Sequence, residues 1–470
     1  MRRSRPMPYA LALAGLSAFV LAGCSTDSLP SLPSVGNLNP FKEKQAPLPG
    51  RRIPVLPANE KIPGELADAS APIVVPAAVP NEEWTQPGGT PSHVLGNLAL
   101  SASPREAWRA DAGSGSSGQG RIIASPIVAG GRVFTLDAEG TATAFSVSGG
   151  SKVWSQSLAP TPQQTAQAGG GFPSFSTGSL FSLGGGGDGG GYGGGLAFDN
   201  GRLFGASGFG AVIAIDPATG KRLWEKNLGA PVRSSPTATG DRVFVLTTEG
   251  RVYCLSGIDG AELWSARGLP SQASLSLNAS PAVDAEIIAV PFPTGDVLGL
   301  NISDGSPVWS ESLTRTRRES QFASMTDAAR PAIENGVVYA IGHAGRMTAT
   351  NAKTGERIWS LNAPGTQMPW VAGDSVFIVD TRAQIMAVSK RDGKIQWTTK
   401  LPTSGAWSGP VLAGNQLWTV SSKGLLAAVD AVGGRVIGQQ EVGAGSYIAP
   451  VVAGGRMYLL TDSAKLIALQ

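Results

Sequence analysis

The sequence predicts an all-β fold, an eight-bladed β-propeller of four-stranded antiparallel blades, and three observations carry that prediction. Glycine is followed four residues later by tryptophan six times, at Gly150/Trp154, Gly220/Trp224, Gly260/Trp264, Gly305/Trp309, Gly355/Trp359 and Gly393/Trp397. The tryptophans recur at roughly 40 residues, a period that marks stacked supersecondary units. Between them lie short apolar runs broken by Gly, Asp and Asn turns, the punctuation of strands.

One unit shows the pattern. Pro236 opens a strand through Thr239, and a Gly240-Asp241 turn leads into Arg242-Val243-Phe244-Val245-Leu246. Glu249-Gly250 turns the chain into Arg251 to Leu255, and Asp259-Gly260 then leads into a fourth strand carrying Trp264. Equivalent units start at Ser125, Leu196, Ala279, Ala329, Gln367, Ser408 and Ile448, which makes eight. The last unit reaches Gln470 after three strands, while Trp108 sits in a lone strand upstream of the first unit. That N-terminal strand is expected to complete the C-terminal blade, closing the ring and removing an open edge. Blade 7 departs from the repeat, since Gly434 is followed by Gly438 where tryptophan is expected. The tryptophans read as packing groups on outermost strands, each ring reaching the next blade while its N–H finds a backbone carbonyl.

The N-terminal part has a different character. Residues 1–23 read as a lipoprotein signal peptide: Arg2, Arg3 and Arg5 precede an apolar run over 9–20, and Leu21-Ala22-Gly23-Cys24 is a lipobox. The apolar run is too short to span a bilayer, so Cys24 is expected to be acylated and to anchor the chain by lipid. Ser25-Thr26 after it, with no aspartate, favours the outer membrane, on its periplasmic face. Residues 24–100 are punctuated by proline and read as a tether, its last part around Trp84 and His93 packed on the propeller. The propeller itself is assigned to 101–470.

Charge and cysteine content exclude several functions. The formal charge is +3, and three of the positive charges precede Cys24, so the remainder is neutral and no nucleic-acid partner is implied. With Cys24 acylated, Cys254 stands alone and no intramolecular disulfide can form. The histidines, His93 and His343, lie in unrelated segments; no metal-ligand cluster and no nucleophile–base signature is present, so no catalytic, metal-binding or cofactor-binding residue is expected. Asp216, Asp259, Asp304 and Asp392 recur at equivalent hairpins and read as turn formers.

Loop lengths point to a recognition face. The insertions fall in the interblade connections, at 159–195 with its Gly-rich core, at 269–278 and at 314–328, all on one face of a propeller. The Gly-rich stretch lacks the Gly-Lys-Ser/Thr of a phosphate loop. In the other two, Leu275 and Leu277 lie on one side of an extended segment near Arg315, Arg317, Arg318, Glu319 and Asp327, an apolar anchor with a charged rim.

The unit Ala214-Ile215-Asp216-Pro217-Ala218-Thr219-Gly220-Lys221-Arg222-Leu223-Trp224 resembles the repeat of pyrroloquinoline-quinone dehydrogenase propellers. Joined to a lipobox, it resembles the BamB-type lipoproteins of the outer-membrane β-barrel assembly machinery, over most of residues 84–470. That resemblance implies a non-enzymatic scaffold that binds the periplasmic POTRA domains of the central, BamA-type barrel protein and assists insertion of unfolded outer-membrane proteins. It places the partner contact at Leu275, Leu277, Asn278 and Asp327. Asn278 stands where the family's Leu-x-Leu motif continues with arginine, and Asp327 alone stands near its paired aspartates. Two other readings share the repeat: a quinone-dependent dehydrogenase, whose usual vicinal Cys-Cys pair is missing here, and a cell-wall or surface-binding propeller.

Overall fold

The computed structural model describes residues 73–118, 120–159, 193–268, 279–314 and 327–470. The expected signal peptide, Cys24, the tether up to residue 72, and Leu275, Leu277, Asn278, Arg315, Arg317, Arg318 and Glu319 lie outside them. The strands form eight four-stranded antiparallel sheets. Seven are runs of consecutive strands, at 127–157, 194–227, 237–267, 282–312, 332–361, 370–400 and 411–441. The eighth joins Val451–Ala453, Arg456–Leu460 and Lys465–Leu469 to the N-terminal strand Glu106–Asp111. Trp108 pairs there with Ala468, and Arg105 and Gln470 exchange backbone hydrogen bonds at 2.8 Å. The ring therefore closes through the two ends of the chain, as the sequence predicts.

The tryptophan repeat has a specific structural cause. Each indole reaches across to the next blade and donates its Nε1 hydrogen to a carbonyl in that blade's last hairpin: Trp154 to Pro217, Trp224 to Gly257, Trp264 to Ile302, Trp309 to Ala352, Trp359 to Lys390, Trp397 to Ala431 and Trp108 to Val147. The hairpin glycine three residues after each acceptor lies under that ring. At Gly260, with φ +74°, a Cβ would come within 2.7 Å of Trp224. The glycine of each Gly-x-x-x-Trp pair thus serves the tryptophan of the preceding blade, and its positive φ closes the hairpin.

Aromatic residues on the second strands back these indoles, with Phe134, Phe204, Phe244, Tyr339, Phe377 and Tyr458 at 5.8–6.1 Å from the tryptophan of their own blade. Burying an indole removes roughly 200 Å² from water, on the order of 5 kcal/mol before the cost of ordering it. Blade 4 has no second-strand aromatic, and Trp309 instead sinks onto Gly299, where a Cβ would meet it at 2.1 Å.

Every outer strand carries a bulge at the same register. The pairing skips Val153, Leu223, Leu263, Val308, Ile358, Gln396, Ile437 and Ala107, one per blade. An edge strand bulged in this way is a poor template for a further strand.

Residues 73–100 belong to no blade and form a strap across the inner strands. The strap visits the blades in ring order. Asn81 bonds to blade 8 at Val452 and Gly454, and Trp84 exchanges two backbone bonds with Val128 of blade 1. Thr85 accepts from Phe198 of blade 2, and the Gln86 amide both donates to and accepts from Ala238 of blade 3, as a neighbouring strand would. Pro91 and Ser92 accept from Val283 and Ile333 of blades 4 and 5. Gly96 accepts from the Trp370 indole of blade 6, and Leu98 bonds to Leu412 and Gly414 of blade 7. Having made one circuit, the strap pairs with itself at Val79 and Leu98.

Candidate functional site: the loop face of the ring

First strands run toward the face that carries the strap, so second-to-third-strand turns and interblade connections gather on the opposite face. Segments 160–192, 269–278 and 315–326 join the fourth strand of blades 1, 3 and 4 to the first strand of the next blade, and the described residues that flank each of them lie on that opposite face.

Their bases are held firmly. At the first, Arg222, paired with Glu225 at 2.5 Å, donates to the carbonyls of Ser157 and Ala159 at 2.6 and 2.7 Å. Where that insertion returns, a Cβ on Gly195 would sit 1.8 Å from Ser235 Oγ, and one on Gly194 would sit 2.0 Å from the Ala206 carbonyl. The last glycines of the Gly-rich stretch are therefore demanded by close packing. At the second, the Gly268 N–H donates to Gly250 as the chain leaves blade 3. At the third, Thr314 bridges to Gly345, and on return the Asp327 carbonyl accepts from the His343 N–H at 3.0 Å.

Asp327 is the one expected partner-site residue within the described chain, and it is only 3% exposed. It stands at the base of its insertion, buried in the described chain. Three residues on, Arg330 donates from Nε to Ser280 Oγ at 2.7 Å, tying the return end of insertion 315–326 to that of insertion 269–278. Burial lowers the Arg330 pKa to about 10, which leaves it charged at neutral pH. The structure thus ties together the described residues at which the two segments singled out by the sequence return to the ring. Arg330 itself was legible as a break in the repeat, because Ser125, Ser235 and Ser280 precede proline at the equivalent position.

The remaining candidates have structural roles. Asp216, Asp259, Asp304 and Asp392 accept from backbone N–H groups of their own hairpins, although Asp216 opens its hairpin whereas the other three directly precede the glycine. The Ser256 and Ser389 hydroxyls at Asp259 and Asp392, and the backbone N–H groups at Asp216 and Asp304, hold all four carboxyls below their usual pKa. The Cys254 thiol is fully buried, and burial pushes its pKa up to about 12, so it is an inert packing group. Among the described residues no three His, Cys, Asp or Glu side chains gather as metal ligands.

The sequence model of the family described as outer membrane protein assembly factor BamB matches residues 98–190, 184–399 and 400–470. The chain belongs to this family. The outer membrane protein assembly factor BamB of Shewanella oneidensis is 24% identical over 365 residues, covering 77% of this chain and 88% of that protein. An uncharacterized protein of Rickettsia prowazekii is also 24% identical, over 290 residues; the match covers 61% of this chain and 64% of that relative, under two thirds of its length. The crystal structure of BamB from Moraxella catarrhalis superposes with a TM-score of 0.65 at 17% identity, over 78% of this chain and all of that one. A europium-containing methanol dehydrogenase superposes at 0.59 with 14% identity, over 80% and 89% of the two chains. At these identities the two structures share the propeller fold with this BamB-family chain.

Proposed function

We propose that this BamB-family chain is a non-enzymatic scaffold of the outer-membrane β-barrel assembly machinery, lipid-anchored through Cys24 on the periplasmic side of the outer membrane. The loop face is its partner surface. Leu275 and Leu277 are the apolar anchors toward the POTRA domains of the central barrel protein, with Asn278 beside them. Asp327, through its place at the base of the neighbouring insertion, positions that loop. The observation that carries this reading is the Arg330–Ser280 hydrogen bond, which unites the two insertions of a family member at one point on one face.

Unfolded barrel proteins are assisted through that assembly rather than by strand addition to the propeller rim, because all eight outer strands carry the same bulge. Removing the gene tests the function: levels of outer-membrane β-barrel proteins are expected to fall, and a chain with Cys24→Ala should restore them only weakly. Unchanged levels in the deletion would contradict the reading.

A further inference from the structure

We propose that the strap-side mouth of the ring is a binding site for one extended polypeptide segment, which the chain fills with its own residues 73–100 as a displaceable ligand. The strap is built as a ligand rather than as part of a blade. It enters no sheet, and it meets the inner strands through isolated bridges and single hydrogen bonds. Most of those bonds go to backbone N–H and C=O groups at strand edges, which is how an extended peptide is recognised with little dependence on sequence.

Specificity comes from three places. The Trp84 ring, 2% exposed, stacks on Trp370 at 6.2 Å with the planes 20° apart. Two residues on, the Gln86 amide satisfies both backbone groups of Ala238, replacing a strand with a side chain. His93, held at φ +62°, donates from Nδ1 to the Pro331 carbonyl at 2.6 Å. The segment that fits is extended and carries an indole followed two residues later by a carboxamide.

The fit is incomplete in a way that favours exchange. Trp84 Nε1 and His93 Nε2 are buried without a hydrogen-bond partner, so the strap forgoes bonds that water would supply to it when free. Its exits are open: residues 77–80 are exposed on one side, and Ser101, Ala102 and Ser103 on the other. A competing segment could therefore enter from either end as the strap peels away.

The test cuts the strap after folding. A protease site placed between Ser101 and Ser103 of the full chain is cleaved in the folded protein, and a fluorescent peptide of residues 73–101 is then added. The cleaved strap should co-elute with the ring in gel filtration and exchange for the labelled peptide. A peptide with Trp84→Gly and Gln86→Ala should compete at least about tenfold more weakly, as loss of two buried anchors implies. A strap that never exchanges from an intact ring would be an integral part of the fold. A strap that departs at once, a ring that unfolds with its departure, or equal competition by the altered peptide would each overturn the proposal. None of these outcomes depends on the barrel-assembly role.

Discussion

The indole of Trp397 lies over Gly434 of the next blade and donates to Ala431 O at 3.2 Å, although Gly434 has no tryptophan four residues after it. The glycine and the tryptophan of the repeat are thus selected separately. Gly434 is kept because blade 6 docks on it. The tryptophan is missing at Gly438 because blade 8 makes its last strand from the other end of the chain, so no hairpin is present there to receive a ring. Blade 7 keeps the second-strand aromatic as Trp418, paired through Ala428 to Gly438, with its Nε1 bonded to Ala413.

Two glycine substitutions separate backbone strain from ring docking. Gly260→Ala and Gly201→Ala both place a side chain at positive φ, near +74° and +72°, which costs about 1 kcal/mol. At Gly201 the Cβ meets nothing, whereas at Gly260 it strikes Trp224, adding about 2 kcal/mol by displacing a packed ring. Urea unfolding should rank Gly260→Ala as the more damaging; equal losses would show that the ring is not seated on the glycine.

Restoring the repeat's tryptophan through Gly438→Trp should not stabilise the ring. It has no hairpin to dock on, because the last strand of blade 8 comes from Glu106–Asp111. An increase in thermal midpoint would contradict the account of the blade 7 exception.

His93 gives the strap a pH dependence. Burial, reinforced by the charge of Arg330 and opposed by the bond to Pro331, lowers its pKa to about 3 from the ordinary 6.5. Between those values the unfolded chain takes up a proton that the folded chain refuses, so stability from this group is intact above pH 6.5 and is lost as pH falls toward 3, by up to about 1.4 kcal/mol per pH unit. His93→Asn tolerates the positive φ and does not titrate. The stability difference between the two proteins should shift in favour of the variant as pH drops from 6.5 to 4; a pH-independent difference would exclude a buried neutral imidazole.

Between blades 4 and 5, Arg357 donates from Nε and Nη2 to Glu311 Oε1 at 2.9 and 2.6 Å, and the carboxylate is nearly buried while the guanidinium is 41% exposed. Arg357→Met should cost about 2 kcal/mol by stranding that carboxylate. Adding Glu311→Gln should recover part of the loss, and a double variant as unstable as the single one would show that packing, not charge, sets the penalty.

The fold was legible because each blade repeats its own instructions: the turn glycines, the alternating apolar strands and Trp154, Trp224 or Trp264 at one fixed offset. That each indole reaches the next blade was expected; that it lands on the hairpin glycine of that blade was not, since the docked pair lies in different blades and only the offset within one blade shows in the sequence. Of the strap, the sequence shows only a segment around Trp84 and His93 suited to packing on the ring. Its circuit depends on backbone groups of a proline-rich stretch, which leave no periodicity to find. Of the candidate site, insertion 269–278 stood out through Leu275 and Leu277, whereas its link to the next insertion rests on Arg330, one residue that replaces a serine in the repeat.

The central claim is tested most directly by a detergent-solubilised pull-down of the lipidated chain, comparing wild type with Leu275→Glu/Leu277→Glu. Recovery of the central barrel protein by wild type and its loss in the double variant is the predicted result. A partner that never appears with the wild type would contradict the scaffold function, and one retained by the variant would contradict the assignment of the contact to the loop face at Leu275 and Leu277.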